Sequence, residues 1–332
     1  MKKNTILFNI LGVVLCGLTT PVAADFCDQT CNDCCEWSIL DGKVTAGVDW
    51  LYWNVQQDGV LPGSVVITDS TVVPTATSVS RVHPSQRWNN GFRVSLGYEM
   101  PCDCWDVNVC YTYMPGRANV TNFAAASADQ TFLSPVLGDS FAAFTSKWNQ
   151  TFNNVDLDIG RTVCFGECLK MRPHVGFRAT WFDQKFRALG ATAPTETTVN
   201  FTALVLKEKF QGYGVEAGIW TEYKMGYNIA LVGHFGGSIL YSKFKIHGDS
   251  ATGTTATDVT TLTEVLTTRN SFYAATPSLD YFVGLQYADS MCDTLFKIRA
   301  GWEQHVLFDT NRYLATGNLS LQGLTLGLDV SF

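Results

Sequence analysis

The sequence predicts an all-β fold, a transmembrane antiparallel β-barrel of about ten strands with short periplasmic turns and long extracellular loops. Three observations predict it. Apolar and polar residues alternate over long stretches. The connections between those stretches are alternately short and long. Aromatic residues gather near the ends of the stretches, where a barrel meets the two membrane interfaces.

The alternation is read from the residues. Phe92, Val94, Leu96 and Tyr98 alternate with Arg93, Ser95, Gly97 and Glu99. Trp105, Val107, Val109, Tyr111 and Tyr113 alternate with Asp106, Asn108, Cys110 and Thr112. The same pattern runs through Met171–Trp181, Leu279–Tyr287 and Phe296–Trp302, with Phe282 out of phase. A two-residue period means strands with one apolar face. A soluble sandwich turns that face to another sheet. Here the strands run to about ten residues or more, beyond the usual five or six. Their polar face carries small residues and opposite charges, as a lumen would.

Taken in order, the chain opens with the features of a secretory signal. Lys2 and Lys3 precede an apolar core from Ile6 to Leu18, and Val22-Ala23-Ala24 gives small residues before a cut ahead of Asp25. Cys16 follows Leu15, where lipidation would need a small residue. Residues 25–42 form a cysteine-rich segment expected in the periplasm, and 43–332 the barrel. No apolar run near 18 residues follows residue 24, so no spanning helix is expected.

Strands are expected near 43–56, 87–99, 103–114, 147–163, 169–187, 204–222, 227–245, 271–288, 292–307 and 317–332. Tight joins fall at Met100–Asp103, Cys164–Cys168, Tyr223–Tyr227 and Ala288–Cys292. Long joins fall near 58–86, 115–146, 188–203, 246–270 and 308–316, rich in Thr, Ser, Ala and Gly. The stretch SVVITDSTVV and the segment after Met114 leave room for further hairpins, so 12 or 14 strands stay open. The loops at 58–86 and 246–270 are expected to fold over or into the mouth. The last strand, GLTLGLDVSF, keeps Leu324, Leu326, Leu328, Val330 and Phe332 on one face to its final residue. That suits a strand closing the barrel against the first.

Composition excludes some classes. Net charge is −7, and charged residues make up only 16% of the chain. This argues against a nucleic-acid partner, which needs clustered Lys and Arg.

Several stretches resemble the Legionella major outer membrane protein family, also found in Chlamydia-like bacteria. They are DWLYWNVQQDG, RWNNGFRVSLGYEM, CWDVNVCYTYM, WNQTFNNVDLDIGRTVCF, LKMRPHVGFRATWFDQKF, GYGVEAGIWTEYKMGYNIALVGHFGGSILYSKF, AGWEQHVLF and the terminal GLTLGLDVSF. Together, in order, they cover most of the chain after the leader. The resemblance implies an outer-membrane porin without catalytic residues. The cysteine-rich start and cysteine-flanked turns go beyond the Legionella pattern and lean to the chlamydial side.

With the polar face inward, the expected pore-lining residues are Asp49, Arg93, Asp106, Asp156, Arg172, Arg178, Glu216, Asp280, Lys297, Arg299 and Glu303, with Glu99 and Asp329 on the same face. Charges inside a pore select ions by sign. A basic patch facing an acidic one would do so. Charges paired between neighbouring strands would instead fill a narrow barrel.

Ten of the 11 cysteines follow the leader. Cys27, Cys31, Cys34 and Cys35 precede the first strand, and Cys102, Cys104, Cys164, Cys168 and Cys292 flank the turns. Only Cys110 lies well up a strand. All nine others fall at the periplasmic end, where disulfides persist. Cys164 with Cys168, and Cys102 or Cys104 with the N-terminal cluster, are candidate bridges. Spacing does not fix connectivity. Intermolecular disulfides to envelope proteins are the other outcome, suggested by the resemblance to chlamydial envelope proteins. A zinc site at Cys31-x2-Cys34 lacks a nearby His, so no metal is expected.

Catalysis finds little support. His174 and His234 are expected in the lumen, where Ser238 or Asp280 would approach. No Gly-x-Ser-x-Gly elbow or His-x-x-x-His pair appears. The expectation is a non-enzymatic porin without a cofactor, contacting outer-membrane lipid and passing small hydrophilic solutes and ions. A structural or adhesive barrel cross-linked through periplasmic cysteines is the alternative. Monomer and homo-oligomer both stay open.

Overall fold

The computed structural model describes residues 42–58, 63–69, 76–82, 86–101, 104–118, 121–127, 129–166, 168–192, 198–256, 259–291, 294–312 and 317–332. In chain order the strands are β1 (Lys43–Gln57), β2 (Gly63–Asp69), β3 (Ala76–Val82), β4 (Trp88–Glu99), β5 (Trp105–Arg117), β6 (Thr121–Ala124), β7 (Gln130–Ser134) and β8 (Asp139–Phe141). They continue as β9 (Ala143–Arg161), β10 (Val163–Phe165), β11 (Leu169–Ala191), β12 (Thr198–Gly226), β13 (Ile229–Ala256), β14 (Val259–Met291), β15 (Thr294–Asn311) and β16 (Gly317–Ser331).

Ten of these close into an antiparallel barrel: β1, β4, β5, β9 and β11 through β16. The closing seam pairs β16 with β1 over 13 register positions, from Thr45 opposite Ser331 to Gln57 opposite Leu319. Val44 and Phe332 then exchange both backbone hydrogen bonds, at 2.9 and 3.0 Å. The last residue is thus held in the ladder, which leaves no free edge for lipid to solvate. The short β10 continues β9 beyond Thr162 along β11, and β6 adds to the outer end of β9.

The alternation expected from the sequence sets the two faces. Val48, Leu96, Val175, Val215, Ile239 and Val283 point outward and are exposed, as lipid-facing residues should be. Along β12 this face runs from Tyr223 to Tyr213. Ten residue steps in a strand tilted by about 40° span about 25 Å, a membrane's apolar thickness. At the opposite rim β12 turns into β13 through Tyr227 and Asn228 alone, with φ of 53° and 62°. Two successive positive-φ residues match the tight hairpin turn whose twist suits the flanking strands.

The outer end departs from expectation. The spans 188–203 and 246–270 are mostly strand rather than loop, since β11 reaches Ala191, β12 starts at Thr198, β13 reaches Ala256 and β14 starts at Val259. Thr and Val dominate Val259–Thr268, and β-branched residues favour extended backbone even where Thr also reads as a surface residue. So 246–270 projects as a hairpin instead of folding into the mouth. The hairpins suspected in SVVITDSTVV and after Met114 do form, but outside the barrel wall. Strands β3, β2, β7 and β8 make a separate four-stranded sheet. Its Phe132, with Val65 and Val82, packs on Phe144, Trp148, Phe186, Leu204 and Leu206 of the barrel extension. This sheet, which includes part of the 58–86 segment, caps the mouth.

Candidate functional site: the barrel lumen

Four arginines organise the middle of the lumen. Arg178 on β11 donates to Asp156 at 2.7 Å, to Glu216 at 2.8 Å, and to Asp280. Arg93 on β4 reaches Asp49 at 3.3 Å and Glu303 at 2.6 Å. Arg299 on β15 holds Asp49 at 2.7 Å and Asp329 at 2.5 Å. Arg172 joins Asp158 at 2.5 Å and Asp106. The pairs Arg93–Glu303 and Arg178–Asp280 each link strands three places apart in the barrel, so they cross the interior. Acids and bases interleave; they do not segregate into facing patches.

His305 ties two of these clusters together. One ring nitrogen lies 2.7 Å from Asp280 and the other 2.8 Å from Glu303. Glu303 also accepts from the Thr325 hydroxyl at 2.8 Å, and that hydroxyl accepts from the Trp53 indole N–H at 3.1 Å. Small residues make room for the network. A Cβ at Gly327 would collide with the Asp49 carboxylate and lie 2.7 Å from Arg299 Nε.

Above this polar layer the inward face turns apolar on nearly every barrel strand. Leu51, Trp53 and Val55 from β1 meet Met114, Phe152, Phe182, Phe210, Leu240 and Phe244, with Leu307, Leu319 and Leu321 closing the ring. Trp53, Phe182, Phe210 and Phe244 are all fully buried. Phe210 and Phe244 pack edge to face at 5.2 Å, and Phe244 stacks on Phe272 at 5.0 Å. Beside these ion pairs, with Trp220 opposite Arg172 and Phe282 opposite Glu303, Trp220 stacks on His234 at 4.5 Å and Phe282 packs against it. The cavity left around Arg178 is about 10 Å³, room for about one water. A ten-stranded barrel is only slightly wider than the eight-stranded ones that side chains fill.

The expected residues therefore meet one another, apart from a few. Lys297 lies on the inner face opposite Asp329, which Arg299 takes. Glu99 sits exposed at the rim end of β4. His174 stacks on His234 at 5.3 Å. Ser238 is bonded to Ser278 and Asp280 to His305, and neither hydrogen-bonds to His174 or His234. Three features went unread. Asp158 lies two residues from Asp156 and His305 two from Glu303, so each shares its neighbour's face. The inward Phe210, on one face with Gly212, Gly214 and Glu216, signalled that a lumen-facing row can be aromatic.

At the rim, Cys164 is disulfide-bonded. Cys104, Cys110 and Cys168 are free thiols, so the Cys164–Cys168 bridge considered above is not formed. The register explains it: Cys164 faces Lys170, and Cys168 lies in the turn outside the ladder. Cys27, Cys31, Cys34, Cys35, Cys102 and Cys292 lie outside the described residues.

A closed antiparallel wall, apolar outside and charged within, defines an outer-membrane β-barrel. Residues 40–332 match the family described as Legionella pneumophila major outer membrane protein precursor, and the chain belongs to that family. No curated protein sequence matches it. Among solved structures, the outer membrane protease OmpT from Escherichia coli is similar at 9% identity and TM-score 0.40, covering 87% of this chain and 97% of that one. Ail, the attachment invasion locus protein of Yersinia pestis, gives 13% identity and TM-score 0.27, over 88% and 99% of the two chains. A major outer membrane protein from Thermus thermophilus gives 12% and 0.31, over 88% and 100%. Likeness at this level carries no residue role across.

Proposed function

We propose that this protein is an outer-membrane barrel closed through its middle, which serves the envelope by its outer surface and periplasmic rim rather than by steady solute flow. The apolar layer around Trp53, Phe182, Phe210 and Phe244 carries this reading, because these inward side chains are fully buried against one another. Ions crossing it would lose hydration against these rings, with Gln184 and Glu208 bonded to each other at 2.7 Å. Liposome swelling with small sugars tests the reading. Vesicles holding the folded barrel should swell no faster than protein-free vesicles. Fast, size-dependent swelling would overturn it.

A second reading is a porin passing small hydrophilic solutes and ions by passive diffusion. The ring of four arginines and their acids below the plug favours it, since such a ring would sort ions once the aromatic side chains swing aside. The eleven charged residues expected in the pore would then line the path. No catalysis is assigned to the lumen. Both ring nitrogens of His305 are taken by carboxylates, so neither is left to activate a hydroxyl.

The free thiols Cys104 and Cys168 support the idea of intermolecular disulfides with envelope proteins at the rim. Non-reducing gels of whole envelopes should show the chain in high-mass species that collapse on reduction. A monomer band without reductant would exclude cross-linking.

A further inference from the structure

The outer face changes character just above the aromatic belt, most densely on β11 to β14. On β12 the outward row runs Tyr213, Gln211, Lys209, Lys207. On β13 it runs Tyr241, Lys243, Lys245, and on β14 it runs Tyr273, Ser271, Arg269. On β11 it runs Trp181, Asp183, Lys185, Arg187. Lys209, Lys245, Arg269 and Lys185 thus each stand four residues above an aromatic. The four strands are consecutive neighbours. The aromatics form a continuous row: Trp181 packs on Tyr213 at 5.9 Å, and Tyr241 on Tyr273 at 5.3 Å.

The register brings like charges together. Lys209 lies opposite Lys245, Lys185 opposite Lys207, and Arg187 opposite Lys147. Like charges directly opposite destabilise a sheet unless something neutralises them. Acids on this face of β11 to β13 are Asp183 and Asp249, and Asp249 is held by His247 at 3.0 Å. Lys207, Lys209, Lys245, His247 and Arg269 border a shallow outward depression of about 400 Å³. On β1, β15 and β16 the outward row carries the neutral amides Gln56, Gln304 and Gln322, and β5 carries the single cation Arg117 four residues above Tyr113. A chain of net charge −7 thus carries a dense group of outward cations along β11 to β14.

We propose that this face binds the phosphate groups of a phosphorylated glycolipid of the outer leaflet, of the lipid A class. Four to six residues along a tilted strand raise these cations about 10–15 Å above the aromatic belt, where headgroup phosphates and acidic sugars lie. Neighbouring strands are about 4.8 Å apart, so one phosphate is bracketed by cations from two strands. Basic residues grouped beside a membrane read as anionic-lipid sites, and the belt below supplies the surface on which acyl chains pack. A lipid anchored in the leaflet is the occupant, because the cations face sideways at membrane level rather than up toward the medium.

Native mass spectrometry of the full folded barrel in neutral detergent tests this. The probes are diphosphoryl lipid A, its dephosphorylated form, inorganic phosphate and heparin. Diphosphoryl lipid A should bind, and loss of its phosphates should weaken binding about ten-fold or more. Lys207→Gln, Lys209→Gln, Lys245→Gln and Arg269→Gln together should weaken it similarly while the heat-modifiable gel shift persists. The pair Lys185→Gln and Arg187→Gln is a second, independent reduction. Lys43→Gln, at the other rim, should leave binding unchanged. Equal binding of dephosphorylated lipid, or undiminished binding by both variants, would overturn the proposal. So would capture of heparin or free phosphate without lipid A, which would assign the face to a soluble polyanion.

Discussion

Arg178 shows how the lumen depends on single residues. Its guanidinium serves Asp156, Glu216 and Asp280, which come from three different strands. Met in its place would leave Asp156 and Glu216 without their cation and Asp280 with His305 alone. Breaking a buried pair this way costs about 3–5 kcal/mol, more than the pair contributes relative to an apolar replacement of both partners. Arg178→Met should therefore lower the urea midpoint of the folded, heat-modifiable form by an amount in that range. Lys297→Met should move it by less than about 0.5 kcal/mol, because Asp329 keeps Arg299. Gly327→Val should behave like Arg178→Met, since its side chain would enter the space where Arg299 meets Asp49. If the two arginine and glycine variants unfold like the parent, the ion-pair network is not what holds the interior.

At the scale of elements, the barrel wall and the outer extensions differ in what they contribute. Residues 261–270 of β14 are exposed on both faces and pack on no core. Replacing 252–264 by Asn-Gly should shorten the hairpin and leave the urea midpoint within about 0.5–1 kcal/mol of the parent. A larger loss would mean the projection supports the cap. The wall was legible in the sequence because lipid on one side and charge on the other enforce a two-residue period. Val48, Leu96 and Val283 could not be placed inward beside Asp49, Arg93 and Asp280. The inner plug was not legible. Just above the aromatic belt the polarity of the faces inverts, with Asp183 and Lys209 outward and Phe182 and Phe210 inward, so a rule of apolar out and polar in assigns these rings to the wrong side. Hairpin 246–270 was missed for a related reason. Its threonines satisfy both surface polarity and β-propensity, and the sequence alone does not say which governs. Cysteine pairing failed on register: Cys164 and Cys168 flank one turn but do not face each other.

Across the whole molecule, three layers stack from rim to mouth: the ion pairs with the Trp220–His234 stack among them, the apolar ring and the cap sheet. Each is built from several strands, so the barrel acts as one packed core wrapped in its own wall. On the proposed closed-barrel reading, the apolar ring is the layer that stops ions. Planar-bilayer recording compares the intact refolded protein with the Phe210→Ala, Phe244→Ala double variant, whose two truncations remove facing rings from the plug's centre. The closed-barrel account predicts a flat trace from the intact protein and stepwise openings from the variant. Stable stepwise openings from the intact protein would contradict it.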